Sequence, residues 1–192
     1  MYHNLYNELK LLLLYTGDYK RKLYLREISR QAKIPLKTTQ NLLAAFEEKN
    51  ILKSNSEGKH KYFSLNLDNI HTRFLLLQTE IYKTILFLQK YPVFKTFAKS
   101  IESNDLIIVF GSFANFTAAK DSDLDILTVS ENQYNLSAHL IPYRIHQLNI
   151  SQKSFLKAVE KKEALIKEIE TNHVILNNHS FYVNAIWRYY GK

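Results

Sequence analysis

Hydrophobic and polar positions along the chain repeat with two periods, and the period changes where turn residues intervene. Asn4 to Tyr15, rich in Leu, Glu and Lys, predicts a first helix that ends near Gly17. Leu25, Ile28 and Ala32 give helical spacing over LREISRQA. Pro35 stops that helix and opens another over Leu36 to Lys49, with Leu36, Leu43 and Phe46 facing inward. Ile51-Leu52-Lys53 begins a hairpin that turns over Ser54 to Lys59 and returns through Tyr62 to Leu65. Asp68 to Tyr91 then reads as one helix of roughly 22 residues, about 33 Å long. Ile70, Phe74, Leu77, Ile81, Ile85 and Leu88 make one apolar face along it. That face is expected to pack against both flanking domains or to pair with its copy in a dimer.

Beyond Pro92 the pattern shortens. A helix over Val93 to Ile101 precedes the apolar run Leu106 to Phe110, which breaks at Gly111-Ser112. A second apolar run follows, interrupted by Asp123 and Asp125. Short apolar runs bounded by turn residues predict buried strands. A short helix is expected over Asn132 to Leu140 and a third strand over Tyr143 to Ile150, opened by Pro142. A helix over Ser151 to Ile169 carries KAVEKKEALIKEIE, whose opposite charges at helical spacing predict a solvated face. His173 to Leu176 reads as a last strand, and Ser180 to Tyr190 as an aromatic closing helix.

The chemistry concentrates in DLIIVFGSFANFTAAKDSDLDILTVS, residues 105–130. Alternation along a strand places Asp123 and Asp125 on one face and Leu124 on the other. Two adjacent carboxylates repel unless a cation lies between them. Such a pair suits Mg²⁺, which takes one or two carboxylates and completes its shell with phosphate oxygens. Gly111 permits a tight turn, and a helix opening after Ser112 would offer free N–H groups to phosphate. Together these features predict nucleotidyl transfer.

Gly111-Ser112, ten residues, then Asp123-x-Asp125 resembles the GS-x10-DxD pattern of the minimal nucleotidyltransferases of the polymerase-beta-like superfamily. Ala114, Thr117, Ala118 and Asp121-Ser122 agree with its flanks. The resemblance implies an NTP substrate and Mg²⁺ (or Mn²⁺) as cofactor. It implies catalytic roles for Gly111, Ser112, Asp123 and Asp125, nucleotide contacts from Gly111, Ser112 and Ser122, and metal ligation by Asp123 and Asp125. Asn115-Phe116 stands where the family has Arg-Gly. The family also places a third carboxylate on the next strand, where YRIHQLNI holds neither Asp nor Glu. His146, Gln147 or Asn149 is left to fill that role, His146 as a candidate general base. Small members of the family are antitoxins that nucleotidylate an HEPN-type ribonuclease, which implies a toxin of that type as a possible acceptor. The alternative is an inactive nucleotidyltransferase domain serving a transcriptional regulator.

Charge separates the first third from the rest. Residues 1–67 carry +6 of the formal net charge of +8, as a polyanion-binding module would. EISRQAKIPLKTTQNLLAAFEEKNIL, followed by the hairpin, resembles the winged helix-turn-helix domains of bacterial and archaeal regulators. In those domains the second helix of the motif enters the major groove of double-stranded DNA. The resemblance therefore makes Lys37, Thr38, Gln40 and Asn41 candidates for base or phosphate contacts, and Lys59, His60 and Lys61 candidates at the wing. Arg21, Lys22, Arg26 and Arg30 would add phosphate contacts. A protein partner for the same surface is the competing reading.

Composition narrows the classes that remain. At 192 residues and 46% hydrophobic, the chain can bury a real core, and four Gly with three Pro argue against low complexity. Without Cys there are no disulfides or thiolate-bound zinc, which fits a reducing interior. No apolar run approaches a membrane span and no signal peptide is evident, so a cytoplasmic protein is expected. The expected fold is α+β: a winged helix at 1–67, a connecting helix at 68–91, and a nucleotidyltransferase-like α/β domain with a small mixed sheet at 92–192. A homodimer is expected, since winged helices commonly read two half-sites.

Overall fold

The computed structural model describes residues 2–132 and 136–191. It divides into two compact units, Met1–Thr79 with Tyr190–Lys192, and Glu80–Tyr189.

In the first unit, α1 (Tyr2–Leu12) runs into a 3-10 turn at Leu13–Tyr15 rather than continuing as one helix. A strand too short to leave a periodic signal, β1 (Leu23–Tyr24), leads into α2 (Leu25–Ala32) and α3 (Leu36–Glu48). Lys33 ends α2 in the left-handed region at φ 53°. The N–H groups of Lys33 and Ile34 close the end onto the Arg30 and Ser29 carbonyls. This is the double-bonded helix stop that glycine usually serves, here on a lysine. Thr39, Leu42, Leu43 and Phe46 are the inward residues of α3. Leu36, expected inward, is 47% exposed because it stands on the first turn, beyond the reach of the core.

β2 (Leu52–Glu57) and β3 (His60–Leu65) form the hairpin, and β1 adds to β3, all antiparallel. The strands are longer and the turn shorter than expected. Glu57 pairs His60, so only Gly58-Lys59 lies between them, with Gly58 at φ 61°. Tyr15, Ile28, Phe46, Ile51 and Phe63 are buried in this unit. The Tyr15 hydroxyl donates to the Phe63 carbonyl at 3.1 Å, and burial pushes its phenol well up.

α4 (Ile70–Lys90) is a single 21-residue helix. Its buried positions are Thr72, Leu76, Thr79, Glu80, Thr84 and Phe87. Of the expected stripe, Ile70, Phe74, Ile81 and Ile85 are each more than two-fifths exposed, while Leu77 and Leu88 are half-buried and Leu88 packs on the core of the second unit. No helix among the described residues is long and apolar enough to cross a membrane.

The second unit is built on a four-stranded mixed sheet in the order β6-β5-β4-β7. β4 (Leu106–Phe110) is buried along its whole length, as its unbroken apolar sequence requires. It pairs antiparallel with β5 (Leu124–Val129) and with β7 (His173–Asn177), while β6 (Ile145–Ile150) lies parallel to β5. Ile107, Val109, Leu124, Ile126, Val174 and Leu176 share one core with Phe87, Phe94 and Phe97, the last two from α5 (Phe94–Lys99).

Two expected helices are corrected. Among its described residues the segment after β5 holds a 3-10 turn at Ala138–Leu140 and no α-helix, and residues 133–135 of that expected helix lie outside the described ones. The charged helix is two helices, α7 (Gln152–Lys161) and α8 (Ala164–Thr171), because Lys162 turns left-handed at φ 52° between them. Nor is its charge wholly solvated: Glu170 is buried and receives the Lys162 ammonium. α9 (His179–Tyr190) closes the chain.

A buried polar group lies where α4 and β7 meet. Glu80 and His173 are both fully buried, joined from Nε2 to Oε1 at 3.0 Å. Burial pushes the Glu80 carboxyl up, but the charges of His173 and Lys83 and the bond from His173 outweigh it and hold the carboxyl below its usual value. Nearby, Thr84 Oγ1 lies 2.9 Å from His179 Nε2, and burial lowers the His179 imidazole.

Candidate active site

At the end of β4 the chain must leave a buried strand abruptly, and Gly111 does this at φ 69°. A β-carbon built there would stand 2.5 Å from Asp125 Oδ2. Both the backbone angle and the close approach of the carboxylate therefore demand glycine. Phe110 pairs Asp125 across β4 and β5, so the turn and the carboxylate are brought together by register. α6 (Gly111–Ala114) is one turn, much shorter than the expected phosphate-binding helix, so little helix dipole is available. What remains for a ligand is the turn itself and the Ser112 side chain.

The loop that follows is tied back on itself. Thr117 N–H and Oγ1–H both donate to the Ser112 carbonyl, at 3.0 and 3.4 Å. The Ser122 hydroxyl oxygen accepts from the Ala119 N–H at 2.9 Å, so this residue holds the loop that delivers Asp123. Phe116 sits at φ 60°, a conformation natural to glycine. Its ring packs against Phe87 and Tyr91, and Lys90 caps its carbonyl.

Asp123 is exposed just ahead of β5, and Asp125 lies within the strand with its side chain 30% exposed. Leu124 between them is fully buried on the opposite face. The β5–β6 register decides among the three candidates for the third ligand. Asp125 pairs His146, whereas Gln147 pairs Ile126 and Asn149 pairs Thr128. Gln147 turns to Thr128 and Asn149 on the other face, at 3.2 and 2.9 Å. Of the three, only His146 reaches a site carboxylate: its Nδ1 lies 3.2 Å from Asp125 Oδ1, on a side chain 66% exposed.

Among the described residues, no three His, Cys, Asp or Glu side chains are gathered closely enough to hold a metal ion alone. Two carboxylates, Asp123 and Asp125, would need phosphate oxygens to complete the shell of a divalent ion. They do not fit a pair of ions, which would need the missing carboxylate.

The residues expected to contact DNA are divided. Gln40, Lys59, His60 and Lys61 line one cleft of about 610 Å³ between α3 and the hairpin, together with Arg26 and Glu47. Lys37 and Asn41 are exposed and Thr38 half-buried on α3, outside that lining. Lys61 is engaged by Glu47 at 2.8 Å. Burial pushes the Glu47 carboxyl up, but the hydrogen bonds from Lys61 and Ser54 outweigh it and hold the carboxyl below its usual value. Sequence spacing gives no sign of Glu47 in this cleft, because the contact joins residues from different elements.

No curated protein and no solved structure matches the chain. Residues 92–181 match the family model of the nucleotidyltransferase domain, and nucleotidyl transfer is the chemistry that this match suggests for them.

Proposed function

We propose that the protein transfers a nucleoside monophosphate from an NTP to a hydroxyl group of a protein or nucleic-acid acceptor, and that its basic first third binds double-stranded DNA. The observation that carries the transferase reading is the close approach of the Asp125 carboxylate to Gly111, which would set a phosphate-binding turn beside a metal-binding carboxylate. Asp123 and Asp125 would hold a divalent ion, Mg²⁺ or Mn²⁺, shared with the phosphates. That ion would neutralise charge building on the transferred phosphate and on pyrophosphate. Gly111 and Ser112 would seat the triphosphate, and Ser122 would fix the loop carrying Asp123. The acceptor hydroxyl oxygen bonds to the α-phosphorus, the α–β anhydride breaks, and the hydroxyl proton passes to solvent. An HEPN-type ribonuclease is one acceptor this reading admits.

Support for DNA binding comes from the order of α2, α3 and the hairpin, which is the order the winged-helix reading expects, and from the cations beside α3. The exposed stripe of α4 supports a homodimer: Ile81 and Ile85 are 43% and 47% exposed, a face a second copy would cover. Replacing both with lysine should convert a dimer to a monomer in light scattering.

The transferase is tested by incubating the protein with α-³²P-labelled NTPs, a divalent ion and cell extract. Label should appear on an acceptor and vanish in Asp123→Ala and Asp125→Ala. A second reading, an inactive domain serving a DNA-binding regulator, is favoured by the single histidine on β6 where a carboxylate belongs. It predicts nucleotide binding without transfer. DNA affinity should fall steeply with salt through counterion release and weaken in Lys37→Ala and Gln40→Ala. Indifference to both changes would point to a protein partner.

A further inference from the structure

The residue that stands in for the third carboxylate is an imidazole, and this changes which ion the site prefers. We propose that His146 Nδ1 is a direct ligand of the ion held by Asp125, so that the site takes a divalent transition ion in preference to Mg²⁺. The inference rests on the transferase reading above and extends it to the identity of the metal.

Three observations carry it. The parallel register pairs His146 with Asp125, and of the polar residues on β6 only His146 shares that face. Asp125 Oδ1 and His146 Nδ1 are 3.2 Å apart. Adjacent corners of an octahedron with bonds of about 2.1 Å lie about 3.0 Å apart, so the two atoms already span one edge of such a shell. Finally, the His146 side chain is 66% exposed and that of Asp125 30%, which leaves solvent-facing room for an ion and for phosphate oxygens at the remaining corners. Without an ion the same two atoms are joined by a hydrogen bond, which holds the imidazole in place.

Donor chemistry then sets the preference. Mg²⁺ is a hard ion that binds oxygen and accepts nitrogen poorly. Affinity for a nitrogen ligand rises from Mn²⁺ along the first transition row. Carboxylate and phosphate oxygens, which supply the rest of the shell, suit Mn²⁺ as well as Mg²⁺. One imidazole among oxygens therefore tips the site from Mg²⁺ towards a divalent transition ion, for which Mn²⁺ is the paramagnetic probe. The protein's own cluster is too open to bind the ion unaided, so binding should require the nucleotide.

The test uses the full chain with Mn²⁺ and a non-hydrolysable ATP analogue, read by pulsed electron paramagnetic resonance. The spectrum should show nitrogen-14 modulation from a coordinated imidazole, and the modulation should disappear in His146→Asp and His146→Gln. Competition should show Mn²⁺ preferred over Mg²⁺, with the ratio of dissociation constants falling about tenfold or more in His146→Asp. Nucleotide-dependent Mn²⁺ binding that needs Asp125 but shows no nitrogen modulation would overturn the inference and leave the transferase reading standing. Mn²⁺ binding indifferent to Asp123→Ala and Asp125→Ala, or none at all, would overturn both. Circular dichroism of the two His146 variants separates loss of a ligand from loss of fold.

Discussion

Gly111 and Phe116 are the two residues of the active-site loop whose backbone angles constrain what can stand there. Gly111→Ala would force a side chain into the left-handed region and push the Asp125 carboxylate aside. We expect a stability loss on the order of 1–3 kcal/mol and loss of ion-dependent nucleotide binding, measured by thermal unfolding and calorimetry. Retained binding would mean that Asp125 can move without consequence. Phe116 shares the left-handed conformation but compensates by packing its ring on Phe87 and Tyr91. Phe116→Gly loses the ring and relieves the backbone, whereas Phe116→Ala loses the ring and keeps the strain. The alanine variant should therefore be the less stable, by about 1 kcal/mol. Equal stabilities would show that the loop relaxes.

At the scale of elements, pairing and turns decide what the side chains can do. The cleft between α3 and the hairpin combines cations with one carboxylate, Glu47, which holds Lys61. Glu47→Gln would release that lysine and remove a charge that repels phosphate. DNA affinity should rise several-fold and its salt dependence steepen, as filter binding over a salt series would show. An unchanged affinity would place the DNA elsewhere or remove it as a partner. Helix ends leave the weakest local signal in this chain. With four glycines in the chain, the left-handed stops fall on Lys33 and Lys162, residues that ordinarily continue a helix. The break between α7 and α8 therefore left no sequence signal, while the stop at Lys33 was marked by the proline that follows.

For the whole molecule, the buried group at Glu80 makes stability depend on pH in two windows. The folded chain disfavours protonated His179, so its contribution is present above an unfolded value of about 6.5. That contribution is lost as pH falls through the lower folded value. Melting temperature should drop between about pH 7 and 5, and His179→Gln should flatten part of the drop. The same slope in both proteins would remove His179 as the cause. Glu80, held below its usual value, supports the fold above an unfolded value of about 4.3 and loses that support as pH falls further.

Local pattern alone determined the two regions of different charge, the apolar run of β4, the turn at Gly111, the spacing to Asp123-x-Asp125, and helices over residues 25–32, 36–48 and 70–90. Each of these is a matter of neighbours in the chain: periodicity, proline, glycine and charge. Tertiary structure decided the rest. Four residues of the apolar stripe of α4 are exposed, and Leu76, Phe87, Glu80 and three threonines are the residues inside, since partners rather than periodicity choose the buried face. Among His146, Gln147 and Asn149, composition could not choose, because a slip of one residue in the β5–β6 register exchanges the faces. Register put His146 beside Asp125, and pairing between strands 21 residues apart is a property of the folded sheet.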